Sequence, residues 1–158
     1  MSRVLDRLNA GPAGAGTPVR VTVLLATLAV AMTFLAAGWP KIVDPAGFAL
    51  AVYRYQVLPD AWINYTALFM PWLEVVTALA LVLAPRLRTA AALLILGMLI
   101  LFTTLIGLNM YRGIDVACGC FSTDPAVGHF GWLLIARNSL LIVLTGLALL
   151  GSNVGTRR

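Results

Sequence analysis

Four apolar runs, each near the length of a bilayer, constrain this chain more than any other feature of its sequence. They cover about Val19–Trp39, Trp62–Leu83, Thr89–Met110 and Gly131–Leu150. A helix needs ~20 mainly apolar residues to cross the hydrocarbon core. Inside lipid the backbone must satisfy its own hydrogen bonds, so spanning segments are helices or strands of a closed barrel. None of the runs carries the tidy amphipathic stripe of a soluble helix. The expected fold is therefore all-α: an integral membrane four-helix bundle, antiparallel and up-down.

Composition agrees. The 158 residues suffice for one domain, and 61% are hydrophobic against 11% charged. A soluble domain is about a quarter charged, so this surface is too poor in charge to face water. Mean hydropathy is +0.94 and the sequence pI about 9.9. The basic pI does not point to nucleic acid, because the basic residues flank the apolar runs and form no groove-sized patch. Residues at such edges set topology.

The first run ends in Leu35-Ala36-Ala37-Gly38, small residues of the kind found at a signal cleavage site. It is longer than the ~7–15 apolar residues of a signal peptide, so it is read as a retained span. Residues 1–18, rich in Gly, Pro and Ala before that span, read as a disordered cytoplasmic tail. Residues 19–151 form the membrane domain and 152–158 a second cytoplasmic tail. With four crossings, both termini and the middle loop share one side. That side holds Arg3, Arg7, Arg20, Arg86, Arg88, Arg157 and Arg158, against Lys41, Arg54 and Arg112 on the other. Seven against three puts the termini in the cytoplasm of a bacterial cell membrane. The segment 111–130 then faces outward, where disulfides persist.

The first outer loop, Pro40–Ala61, is too long for a simple turn. Pro45 can start a helix, and Phe48, Val52 and Tyr55 recur at helical spacing. The expectation is a short helix over about Pro45–Val57 at the outer membrane surface, ended by Leu58-Pro59-Asp60. The middle loop, Ala84–Arg88, is a tight basic turn, which makes the second and third spans antiparallel neighbours.

Chemistry concentrates in Cys118-Gly119-Cys120, the chain's two cysteines. Thiols one residue apart are forced together, and Gly119 permits the backbone this needs. A disulfide between them would close a very small, strained ring. Strained, exposed disulfides are the exchangeable ones. Arg112 would lower a nearby thiol pKa and Asp115 would oppose it. The alternatives are a structural staple, two free thiols, or a metal site completed by His129. A staple over so small a loop restricts the unfolded chain little, and two cysteines with one histidine lack zinc-site spacing.

Inside the spans, Glu74 is a lone carboxylate about twelve residues into the second run. It should face the bundle interior and have a partner. Arg137 is the basic candidate within a span, at a depth differing by roughly 9 Å on the helical rise. The expectation is a Glu74–Arg137 contact, direct or through Asn138, Asn109 or water. Pro71, one turn before Glu74, should kink its helix. Asn109 ends the third span near the cysteines, where its amide can tether that segment. Asn138 follows Arg137 and points elsewhere. The spans contain no histidine for haem ligation.

Together these residues resemble the MauE family, the methylamine-utilisation membrane proteins, within the wider DoxX-like group. The resemblance runs from about Ala36 to Leu150. It rests on Gly38-Trp39-Pro40-Lys41 with Asp44-Pro45 and Phe48, Tyr55-Gln56-Val57-Leu58-Pro59, Pro71-Trp72-Leu73-Glu74, Leu108-Asn109 with Arg112-Gly113, Cys118-Gly119-Cys120-Phe121 and Arg137-Asn138. It implies a four-helix membrane bundle linked to disulfide formation in exported proteins, as in maturation of the disulfide-rich small subunit of methylamine dehydrogenase. Ser122 stands where the family motif commonly continues with glycine, and Val116-Ala117 slightly stretches the segment.

The function expected is a membrane thiol–disulfide protein with Cys118 and Cys120 as the reacting pair and Glu74, Arg137, Asn109 and Asn138 as supporting polar residues. Its partners would be the lipid bilayer and an exported or thioredoxin-like protein. By analogy with other four-helix disulfide-generating membrane proteins, a quinone would take the electrons, although no quinone motif is legible. The rival reading is a non-enzymatic accessory or assembly subunit of a larger complex. A small-molecule carrier fits less well, since the chain lacks the internal repeats usual in transporters.

Overall fold

The computed structural model describes residues 17–113 and 131–155. These form five helices: α1 (Thr17–Val43), α2 (Pro45–Arg54), α3 (Asp60–Leu83), α4 (Arg88–Tyr111) and α5 (Gly131–Gly155). All but α2 are long and apolar enough to cross a membrane. They close a ring in which α1 packs on α3 and α5, and α4 packs on α3 and α5. The architecture is an all-α, multi-pass membrane bundle.

Side chains sort as lipid requires. Leu25, Met32, Leu68, Phe69, Val76, Leu93, Leu140 and Val143 point outward. The interior joins Val30, Phe34, Ala78, Leu81, Ala91, Ala92, Ile95, Leu99 and Leu141 from all four spans. Lipid tails are as apolar as these side chains, so helix association rests on close packing and polar contacts. The alanines bring the helix backbones near. Thr27, Thr77, Thr103 and Thr145 donate to carbonyls one turn back, at 2.6–2.7 Å. Their hydroxyls are thus satisfied within their own helices.

The helix ends follow local chemistry. Asp44 caps α2, its Oδ1 accepting from the Gly47 amide at 2.9 Å, with Pro45 at the first helical position. α2 stops at Arg54, short of the Val57 expected, because Gln56 adopts a left-handed φ of 49° that turns the chain. The 84–87 turn is tight, and Arg88 Nε donates to the Leu81 carbonyl at 3.2 Å, satisfying an orphan acceptor at the end of α3. Gly113, φ +69°, ends α4 with its amide on the Met110 carbonyl at 3.1 Å.

α1 differs most from expectation. The sequence places the end of the run at about Trp39 and a loop from Pro40. Instead the helix continues through Pro40 to Val43, and Lys41 lies inside it. A proline costs the helix one amide donor but leaves its carbonyl, and the Asp44 amide bonds to Pro40 O at 3.0 Å.

The register of α1 against α3 places this segment. Gly38 meets α3 at Pro71–Val75, where an added Cβ would lie 2.9 Å from Val75 Cγ2 and 3.3 Å from the Pro71 carbonyl. From that crossing α1 has five residues left, whereas α3 has eleven between Pro71 and its start at Asp60. At ~1.5 Å per residue α3 projects about 9 Å beyond α1. Beside this overhang sits α2, with Phe48 and Ala51 buried against Ala67. The C-terminal end of α1 is therefore sunk within the bundle, and α2 roofs it.

Candidate functional site

The polar centre grows from that stagger. Side chains of a helix lean toward its N-terminus. Lys41 on α1 therefore leans back toward the level of Gly38, and Glu74, on the antiparallel α3, leans up toward Lys41. Lys41 Nζ donates to Glu74 Oε1 at 2.7 Å and Oε2 at 2.8 Å. Both side chains are 2% exposed. The ammonium also lies 4.9 Å from the Phe48 ring centre and 5.5 Å from that of Phe102. These distances suit cation–π contact on two sides. α1, α2, α3 and α4 thus converge on one charged pair.

The carboxylate partner is a correction. The direct partner of Glu74 is Lys41, where the sequence points to Arg137. The physical reason is depth. A loop lysine at the membrane surface would be far above Glu74, but the sunken end of α1 brings Lys41 to it. The signal was present in the sequence: Gly38 and Lys41 are one turn apart on one helix face, as are Pro71 and Glu74. Glu74 does turn inward, and it shares with Arg137 and Asn138 the wall of a cavity of about 20 Å³. That volume suffices for one water.

Arg137 curls along α5 so that Nη2 donates to Asn138 Oδ1 at 3.2 Å, although adjacent helical residues start in different directions. Asn138 Nδ2 donates to Thr103 Oγ1 on α4 at 3.2 Å. This amide ties α5 to α4. Asn109 is fully buried, and neither its Oδ1 nor its Nδ2 has a hydrogen-bond partner among the described residues.

Tyr55, just past α2, is partly buried. Burial pushes its hydroxyl up to about 12 from an ordinary 10.0, against a smaller opposing pull from the Arg137 charge. The hydroxyl stays a neutral donor at physiological pH.

Cys118, Gly119, Cys120 and His129 lie outside the described residues, as do Asp115 and Ser122. The segment that carries them leaves from Gly113 and returns at Gly131. Gly131 packs on α4 so closely that an added Cβ would lie 2.6 Å from Met110 Sδ. Both ends of the cysteine segment are therefore held at the same end of the bundle.

A model of the family described as methylamine utilisation protein MauE matches residues 19–151. The chain is similar to three proteins named methylamine utilization protein MauE. That of Methylophilus methylotrophus is 32% identical over 127 residues, covering 80% of this chain and 65% of the relative. That of Paracoccus denitrificans is 35% identical over 121 residues, covering 76% and 62%. That of Methylorubrum extorquens is 34% identical over 133 residues, covering 83% and 69%. The match thus spans slightly less than two thirds of the first two relatives' length. No solved structure matches significantly. With the family model covering the membrane bundle and three such relatives across it, the chain belongs to the MauE family.

Proposed function

We propose that this chain is a membrane accessory protein for maturation of exported proteins, working by thiol–disulfide exchange at Cys118 and Cys120. The observation that carries the reading is the Cys-Gly-Cys spacing in a segment tethered at both ends to one end of a membrane bundle. The strained Cys118–Cys120 disulfide takes two electrons from a partner's dithiol. A partner thiolate attacks one sulfur, a mixed disulfide forms, and the partner's second thiolate displaces the chain's cysteine. The partner leaves oxidised, the chain leaves as a dithiol, and the thiol protons pass between them.

Charge supports an outward-facing cysteine segment and cytoplasmic termini. With Lys41 inside the bundle, Arg54 and Arg112 remain on the cysteine side against seven arginines opposite. In this reading Glu74, Arg137, Asn109 and Asn138 shape the bundle rather than react, and the domain occupies residues 19–151. A role in methylamine utilisation, the activity named for the relatives, makes a disulfide-bearing exported protein of that process the natural partner.

Thiol trapping in intact cells tests the reading. Cys118 and Cys120 should be found oxidised in part, and Cys118→Ser and Cys120→Ser should each accumulate mixed disulfides or lose maturation of the partner. Thiols that stay fully reduced, with both serine variants fully functional, would overturn it.

A further inference from the structure

A second cavity, of about 310 Å³, lies between α1, α2, α3 and α4. We propose that it receives the carbonyl-bearing ring of a lipid-soluble quinone. This deepens the redox reading above by naming an electron acceptor, but it stands on the cavity alone.

The size is at the lower end of small-molecule sites. Apolar side chains such as Met70 make up most of the wall, and the exceptions are the Lys41 ammonium and the Tyr55 and Thr66 hydroxyls. Each of these can donate a hydrogen bond, and no carboxylate is among the residues that line the cavity. The occupant must therefore bring acceptors. No unmatched charge lines the cavity. The charge of Lys41 is already matched by Glu74 at 2.7 and 2.8 Å. A cation would meet the ammonium, and an anion would find no second counter-charge among the lining residues.

Two of the three Lys41 protons go to Glu74, which leaves the third for a neutral oxygen. Beside that donor stand the rings of Phe48 and Phe102, 4.9 and 5.5 Å from Nζ, which also line the cavity. Aromatic walls favour a flat ring in offset stacking. Because α1, α3 and α4 are candidate spans, the occupant comes from the bilayer. A flat, neutral, membrane-soluble ring with carbonyl acceptors is a quinone. A bare acyl chain would leave all three donors unanswered.

The test uses the full chain with Cys118→Ser and Cys120→Ser, so that failure of thiol chemistry cannot masquerade as failure of binding. The protein is placed in phosphatidylcholine–phosphatidylglycerol nanodiscs and labelled with an azido-quinone in competition with decylubiquinone. Saturable labelling at one site per chain is expected, mapped to α2 or to the stretch 101–105 of α4. Val52→Trp and Leu105→Trp fill the cavity from two helices, and each should weaken binding at least tenfold. Tyr55→Phe should weaken it severalfold without changing the thermal midpoint. Labelling that does not saturate overturns the proposal. So does binding indifferent to whichever tryptophan variant folds, or a phospholipid chain that quinone fails to displace.

Discussion

Glu74→Met removes one member of a pair whose charges lie 2.7 Å apart and 2% exposed. At an effective dielectric of ~20, the attraction at that distance is about 6 kcal/mol. Desolvation of both groups offsets most of it, so the pair adds little net stability over an apolar replacement. The asymmetry is what can be measured. Removing one partner leaves the other charge buried, at a cost of about 3–5 kcal/mol. Glu74→Met should fall at the lower end, because Lys41 is two residues from the end of α1 and can stretch toward the interface. Lys41→Met should fall at the upper end, since Glu74 lies fourteen residues into α3 and its side chain is short. The double variant Lys41→Met/Glu74→Met should return to within about 1–2 kcal/mol of the parent or exceed it. The assay is reversible unfolding in mixed micelles of dodecyl maltoside and SDS, followed by circular dichroism, for all four corners of the cycle. Raising salt to 0.5 M should change little, because a buried pair is screened weakly. Losses in the double variant equal to the sum of the singles would refute the reasoning, since the two residues would then be independent.

Three further outcomes follow from the packing. Gly38→Ala should destabilise by about 1–3 kcal/mol, because its Cβ meets Val75 and the Pro71 backbone. Gly131→Ala should be far milder, since the obstacle is the flexible end of Met110; equal losses at the two glycines, in the same unfolding assay, would contradict this. Asn109→Leu should be neutral or stabilising, because neither amide atom has a partner among the described residues; a loss above ~2 kcal/mol would refute it. The ultraviolet tyrosinate signal lost in Tyr55→Phe should have its midpoint near pH 12. The folded value is raised, so the stability Tyr55 contributes is complete below pH 10 and disappears as pH rises toward 12. A midpoint at 10 would show the hydroxyl to be solvated.

Much of the fold was legible because span length is a one-dimensional property. Counting apolar residues finds four helices whatever their neighbours do, and Pro45 after Asp44 marks the start of α2 for purely local reasons. Depth is not one-dimensional. The apolar run ends before Lys41, which reads as a loop residue in the sequence, because a run measures distance along the chain and not distance from water. The true depth is set by Gly38 docking on the Pro71–Val75 turn, a contact between segments over thirty residues apart. Glu74 was legible as buried because a carboxylate in an apolar run has no cheap alternative. Its partner was not, because Arg137 and Lys41 are both basic and the stagger of α1 chooses between them. Asn138 was legible as polar and interior, but its bond to Thr103 depends on the rotation of α5 against α4.

The sunken end of α1 also imposes an order on biogenesis. Lys41 and Glu74 are 33 residues apart, so at ~5–20 residues per second about 2–7 s of translation separate them. During that interval the lysine lacks the carboxylate it pairs with in the bundle, and its long stem lets the ammonium reach the headgroups. The first helix should therefore sit shallower as it is made and reach its final depth when the second arrives to pair with it. The helical hairpin, rather than the single helix, is the smallest unit that settles in the membrane.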